Sequence, residues 1–145
     1  MDLDEYHRRI KNFNLDKALV RVLMKLEKDI IALNVSQHRD DGILSTGQSI
    51  SSVKPYATIT VFLKGAAGTL TNGNADIINL HEDGSFHGLM NIVFGKTEHE
   101  LTSDDDKTND LIDKYGSDIF GLTRESLDRL IPRIQNLLVQ ELRNV

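Results

Sequence analysis

With 145 residues, 39% hydrophobic and 27% charged, the chain has the size and composition of one soluble globular domain large enough to bury a core. It has no cysteine, which excludes disulfides, thiolate nucleophiles and cysteine-based zinc or iron–sulfur sites. The net charge is −5, and seven acids against the single base Lys107 between Glu98 and Asp113 make a local −6, so the remainder is nearly neutral and lacks the clustered lysines and arginines that hold a phosphate backbone.

The first residues, Met1-Asp2-Leu3-Asp4-Glu5, are acidic and carry no apolar run, so a secretory signal is not expected there. No window approaches the roughly 18 apolar residues of a membrane span. A short helix is predicted around Asp4 to Lys11. A longer one runs from about Asp16 to Asn34, because Leu19, Val22, Leu23, Leu26, Ile30 and Leu33 recur at helical spacing. Val20, Met24 and Ile31 widen that stripe, and Asp16 is the expected N-cap. Gln37 to Ser52 is polar and rich in Asp, Gly and Ser, which predicts a loop.

The middle of the chain reads as β. Tyr56 to Leu63 is dense in β-branched and aromatic residues and follows Pro55. Gly65 to Asn74 reads as a long turn. Ile77, Ile78 and Leu80 predict a short strand, and Leu89 to Phe94 a firmer one with Met90, Ile92 and Phe94 on one face. Between them, His81-Glu82-Asp83-Gly84-Ser85 carries the Asp-Gly pair of a tight reversal. A sheet of three to four antiparallel strands is the simplest outcome.

The last third is helical again. Ser103 followed by Asp104, Asp105 and Asp106 reads as a hydroxyl cap with acids at the positive end of a helix. That helix is expected to reach about Lys114, turn Leu111 and Ile112 inward and stop at Gly116. Thr123 caps the final helix, whose stripe is Leu127, Leu130, Ile131, Ile134, Leu137, Leu138 and Leu142. Pro132 interrupts it and predicts either a kink near Asp128 or Arg129, or a restart. The expected architecture is a single α+β domain over residues 1–145: helical 1–35, β over 54–101, helical 103–143.

Groups able to carry chemistry are few. His81, Glu82, Asp83 and His87 place four potential metal ligands within seven residues, and the plainer reading of them is a solvated turn. Asp104 to Asp106 lack the alternating spacing and closing Glu of a calcium loop. His99, between Glu98 and Glu100, reads as a solvated residue of a strand or loop. Gly47-Gln48-Ser49-Ile50-Ser51 lacks the second glycine of a nucleophile elbow. Gly65-Ala66-Ala67-Gly68-Thr69 lacks the Gly-Lys-Ser/Thr ending of a phosphate loop. No catalytic residue, cofactor or metal is therefore assigned.

Two segments remain: Leu80-His81-Glu82-Asp83-Gly84-Ser85-Phe86-His87-Gly88-Leu89 ahead of a strand, and Lys114-Tyr115-Gly116-Ser117-Asp118-Ile119-Phe120-Gly121-Leu122-Thr123 ahead of the last helix. In that order, after an N-terminal helix, they resemble the small virion-morphogenesis and tail-completion proteins (neck and head–tail connector components) of tailed bacteriophages. The resemblance covers roughly residues 75–145 and outlines the first helix. It implies a non-enzymatic virion protein, made in the host cytoplasm, that forms a homo-oligomeric ring touching portal, adaptor or tail proteins. Phe86, Tyr115, Gly116, Ile119, Phe120, Gly121, Leu122 and Thr123 are the candidate docking motif. On physical grounds alone, Phe120 and Leu122 staple the Thr123 cap against Leu127, and the two glycines serve turns. Two other readings are a metal-dependent hydrolase or nuclease built on His81, Glu82, Asp83 and His87, and a dimeric interaction module using the C-terminal stripe.

Overall fold

The computed structural model describes residues 2–144. It contains seven α-helices and one two-stranded sheet. Helix α1 (Leu3–Asn12) is capped by the Asp2 side chain, which accepts from the Glu5 amide at 2.7 Å. Helix α2 (Leu15–Ser36) is capped two residues earlier than predicted: Asn14, not Asp16, accepts from the Lys17 amide at 3.0 Å. The α2 axis continues as one π-helical turn over Gln37–Asp41, which ends at Gly42.

The predicted loop Gln37–Ser52 is mostly structured. Beyond the π turn, Ile43 bridges Ser49, and α3 (Ile50–Val53) follows. Leu44 and Ile50 from this segment are core residues. The polar composition hid them because the few apolar side chains fit no period.

The predicted strand Tyr56–Leu63 is corrected to helix α4 (Thr58–Ala67). Its β-branched run finds no partner strand, whereas Thr60, Leu63, Lys64 and Ala67 fall at helical spacing along one face of a cleft. Gly68, at φ 70°, closes the helix: its amide bonds back to Gly65, and the Thr69 amide reaches Lys64 at 3.0 Å. The predicted strand at Ile77–Leu80 is irregular, and the Asp-Gly turn leads into the short helix α5 (Ser85–Gly88). The expected three- to four-stranded sheet is therefore two strands, β1 (Met90–Phe94) and β2 (His99–Ser103), paired antiparallel with Met90 opposite Ser103 and Phe94 opposite His99. The molecule is mostly helical.

Ser103 ends β2 rather than capping a helix, and α6 starts five residues later (Thr108–Tyr115). The acids Asp104–Asp106 occupy the connecting turn, where the Asp105 amide still reaches the Ser103 hydroxyl. Gly116 does stop α6: its amide bonds to Ile112 at 2.8 Å, and its φ of 87° suits glycine. Helix α7 (Arg124–Arg143) begins where the sequence places it, with the Thr123 hydroxyl accepting from the Ser126 amide at 3.2 Å. It runs unbroken through Pro132, which excludes a restart; Pro132 and Asp128 lie one turn apart on its exposed side.

Two apolar clusters hold these elements. Val22, Leu26 and Ile30 of α2 meet Leu130 of α7, with Ile92, Leu101, Leu122 and Ile134 around them. Each such side chain contributes about 1.5–3 kcal/mol on burial. The second cluster gathers Leu44 and Ile50, Ile78 and Leu80, Phe86, and Ile119 from four stretches of the sequence, backed by Tyr56, Leu111, Tyr115 and Phe120. The Ile119–Thr123 segment lies between the two.

Candidate functional site

The end of α2 grips that segment by its backbone. Asn34 continues the α2 stripe one turn beyond Ile30, and Gln37 and His38 follow at the next helical positions; all three are buried. The Asn34 amide group donates to the Ile119 carbonyl (3.1 Å), and its oxygen accepts from the Gly121 amide (3.0 Å). Gln37 does the same one step along, donating to the Gly121 carbonyl (2.9 Å) and accepting from the Thr123 amide (2.9 Å). Two carboxamides thus act as substitute strand edges for a segment that has none. Gly121 fits here because its φ is 117° and a Cβ would meet the Ser45 side chain at 3.1 Å.

His38 completes the clamp and fixes its tautomer. Its Nε2 lies 2.6 Å from the Ile119 carbonyl, which only accepts, so Nε2 carries the proton. Nδ1 is then an acceptor for His87 Nε2–H at 3.2 Å. That leaves His87 Nδ1 as a bare lone pair, and it is indeed without a partner. A charged His38 would donate from both nitrogens and drive the His87 proton onto its partnerless buried Nδ1. Burial lowers the His38 pKa to about 4, against a smaller raising effect of the Ile119 carbonyl. Burial, with His38, His81 and Arg39 nearby, lowers that of His87 to about 3. His81 stacks on His87 with rings 6.4 Å apart and 8° from parallel, and burial lowers its pKa too. The three imidazoles form a neutral ladder from the clamp to a surface cleft.

That cleft, of about 570 Å³, lies between α4, the Leu80–Phe86 segment and α6. Tyr56 and Tyr115 are its aromatic walls, Leu63, Leu80, Leu111 and Phe86 its apolar lining, and Lys54, Lys64, Lys107 and Lys114 its cations. Glu82 and Asp83 also line it, but both pair with Lys107, at 3.0 and 3.4 Å. Hydrogen bonds from the Ser85 hydroxyl and amide, and then Lys107, hold the Asp83 carboxyl well below the usual range. Lys64 donates to the His81 carbonyl and sits 5.4 Å from the Tyr56 ring centre. Lys54 and Lys114 make no ion pair among the described residues. A chain of net −5 therefore keeps a surplus of positive charge in this partly apolar cleft.

The cleft floor is pinned by Asn79. Its side chain receives the Tyr56 hydroxyl and the His81 amide and donates to the Thr69 carbonyl at 2.7 Å. This holds Leu80 at φ 54°, a left-handed conformation that costs a branched residue on the order of 1–2 kcal/mol.

The sequence-predicted motif is divided by the structure. Ile119, Gly121 and Thr123 belong to the clamp; Phe120 tilts against Phe86 at 5.7 Å; Leu122 joins the α2–α7 cluster, so Phe120 and Leu122 lie against different cores. Gly116 is the α6 stop. Only Phe86 and Tyr115 reach the cleft. The four candidate ligands also separate: Glu82 and Asp83 turn to Lys107, His87 turns to His38, and parallel stacking keeps the His81 and His87 lone pairs from converging. Among the described residues no group of three or more His, Asp or Glu is arranged to hold a metal ion. His99, in β2 and half-buried, tilts against Phe94. Asn34, Gln37, His38, Lys54, Lys64 and Lys114 escaped the sequence reading. The 30–34–37/38 spacing, which carries the α2 stripe on in polar residues, was the signal for the first three.

Around this interior the surface is unusually apolar in two places. Helix α1 exposes Leu3 (84%), Tyr6 (52%) and Ile10 (46%) on one side and has no buried residue; α4 exposes Ile59 (63%) and Phe62 (70%) and also has none. Among the described residues no helix is long and apolar enough to cross a membrane. Comparison with protein-family models, curated proteins and solved structures returns no match.

Proposed function

We propose that this protein is a structural assembly component, whose work is to dock against other subunits rather than to transform a substrate. One observation carries the reading: two amphipathic helices of ten residues each, α1 and α4, hold large apolar side chains in solvent and bury none. Helices that short are marginal in water without packing, and contiguous exposed apolar faces mark contact surfaces. Because the two faces belong to different elements, each can meet a different surface of a neighbouring copy; such contacts are heterologous, and a heterologous contact that closes makes a ring.

Within that class, the resemblance of the Leu80–Leu89 and Lys114–Thr123 segments supports a tail-completion or neck component at the head–tail junction of a tailed phage. The acidic residues Asp104, Asp106, Asp110 and Asp113 are exposed and suit a wall past which DNA moves without sticking. Native mass spectrometry across a concentration series is expected to show a monomer giving way to a closed oligomer. Electron microscopy of the parent particle is the deciding test: density for this chain at the head–tail junction is expected, and a particle with no copy there overturns the reading.

A further inference from the structure

The lysine-lined cleft and helix α1 are complementary in charge, and both carry apolar surface beside the charges. The cleft offers two free ammonium groups, Lys54 and Lys114, around an apolar lining; the first turn of α1 offers Asp2, Asp4 and Glu5 around Leu3 and Tyr6. Glu5 is partly engaged by Arg9 at 2.8 Å, whereas Asp4 is exposed with no partner among the described residues. We propose that the cleft is the receptor for the α1 N-terminal turn, Asp2–Tyr6, of a second copy of this chain. The inference rests on the assembly reading and specifies its contact: α1 of each copy enters the cleft of the next.

The physical case has three parts. A ten-residue helix is unstable in isolation and gains its order from packing; α1 packs nothing of its own away. A cleft of this size, apolar with a few placed charges, has the dimensions and chemistry of a preformed binding site. Its floor is held rigid by the Asn79 network and the strained Leu80, so little ordering cost falls on the receptor side. Carboxylates beside Lys54 and Lys114 then set the register, while the apolar contacts hold it.

The absence of cysteine makes a clean test. Leu3→Cys and Leu63→Cys variants, both at exposed positions, are mixed in equal amounts and oxidised. The expected product is a mixed disulfide dimer in excess of either self-dimer. A chain carrying both substitutions that cross-links within itself, at monomer mass, overturns the two-copy contact. In sedimentation velocity, Asp4→Lys/Glu5→Lys and Lys54→Glu/Lys114→Glu are each expected to weaken association at least about tenfold, and mixing the two variants to restore it, since reversed helix then meets reversed cleft. Circular dichroism confirms that each variant keeps the wild-type fold. No mixed disulfide, or charge variants that associate like wild type, overturns this contact even where microscopy places the chain at the junction. Cross-linking without any copy at the junction supports the contact and overturns the phage assignment alone.

Discussion

The clamp at the end of α2 and the helices at the periphery are opposite solutions to burial. In the clamp, polar side chains sit in the interior and nearly every donor and acceptor is matched: Asn34 and Gln37 together take two carbonyls and two amides of the Ile119–Thr123 backbone. At α1 and α4, apolar side chains sit in water and nothing covers them. One region is satisfied within its own chain, and the other leaves its apolar faces to solvent. On the proposed assembly reading, the difference separates what this sequence uses for folding from what it holds for association.

The contrast breaks most sharply at Ile119. Its side chain is fully buried where the two clusters meet, and its carbonyl is the focus of the clamp. Ile119→Ala is expected to cost about 4 kcal/mol through lost burial and an unfilled cavity, read as a shift in urea midpoint at constant slope. A cost below about 1 kcal/mol places the segment outside the core.

Acid probes the same interior by a different route. The His38 pKa is about 4 folded and 6.5 in the unfolded chain. The unfolded state therefore binds a proton that the folded state refuses between these values. This contribution is fully present above pH 6.5, is lost progressively as pH falls towards 4, and changes no further below. At 1.36 kcal/mol per unit the loss is about 3 kcal/mol, and His87, coupled to it, extends the decline towards pH 3. Urea midpoints from pH 7 to 4 check this; stability that is flat over that window contradicts a neutral ladder.

How much of this was legible in the sequence follows from where the information lies. The α2 and α7 stripes, the Gly116 stop and the Thr123 cap are local signals, and the sequence placed each within a few residues. The strand Met90–Phe94 was visible from its own composition, but its partner His99–Ser103 was not, because acidic and polar residues carry no period. Tyr56–Leu63 misled for a physical reason. β-branched residues favour strands only where a neighbouring strand and a covered face exist, and here neither does, so the Thr60–Ala67 face and the Gly68 cap decided for helix. The cleft was invisible altogether: it joins residues from 54 to 115 that share nothing but a fold.

Asn34 gives a smaller but more specific effect. Asn34→Ala removes two bonds to the Ile119–Gly121 backbone and strands the Gly121 amide; the Ile119 carbonyl keeps His38. A loss of about 2 kcal/mol is expected. Hydrogen exchange at the Gly121 amide is the sharper readout, with protection falling there more than in the middle of α2. Equal loss at both places would mean global destabilisation and no local clamp.

The smallest stability effect is expected at the periphery, and there the comparison is most exposed to failure. Phe62 is 70% exposed on α4, and nothing in the fold leans on it. Phe62→Ser is expected to change folding stability by no more than about 0.5 kcal/mol, because a side chain already in water loses little on truncation. If the apolar periphery serves association, the same substitution shifts the monomer–oligomer balance towards monomer by far more than that figure, since a buried aromatic at an interface is the kind of residue that dominates binding. A variant with wild-type melting and wild-type association would make the exposed α4 face a mere feature of this fold, and would leave α1 and its cleft to account for assembly alone.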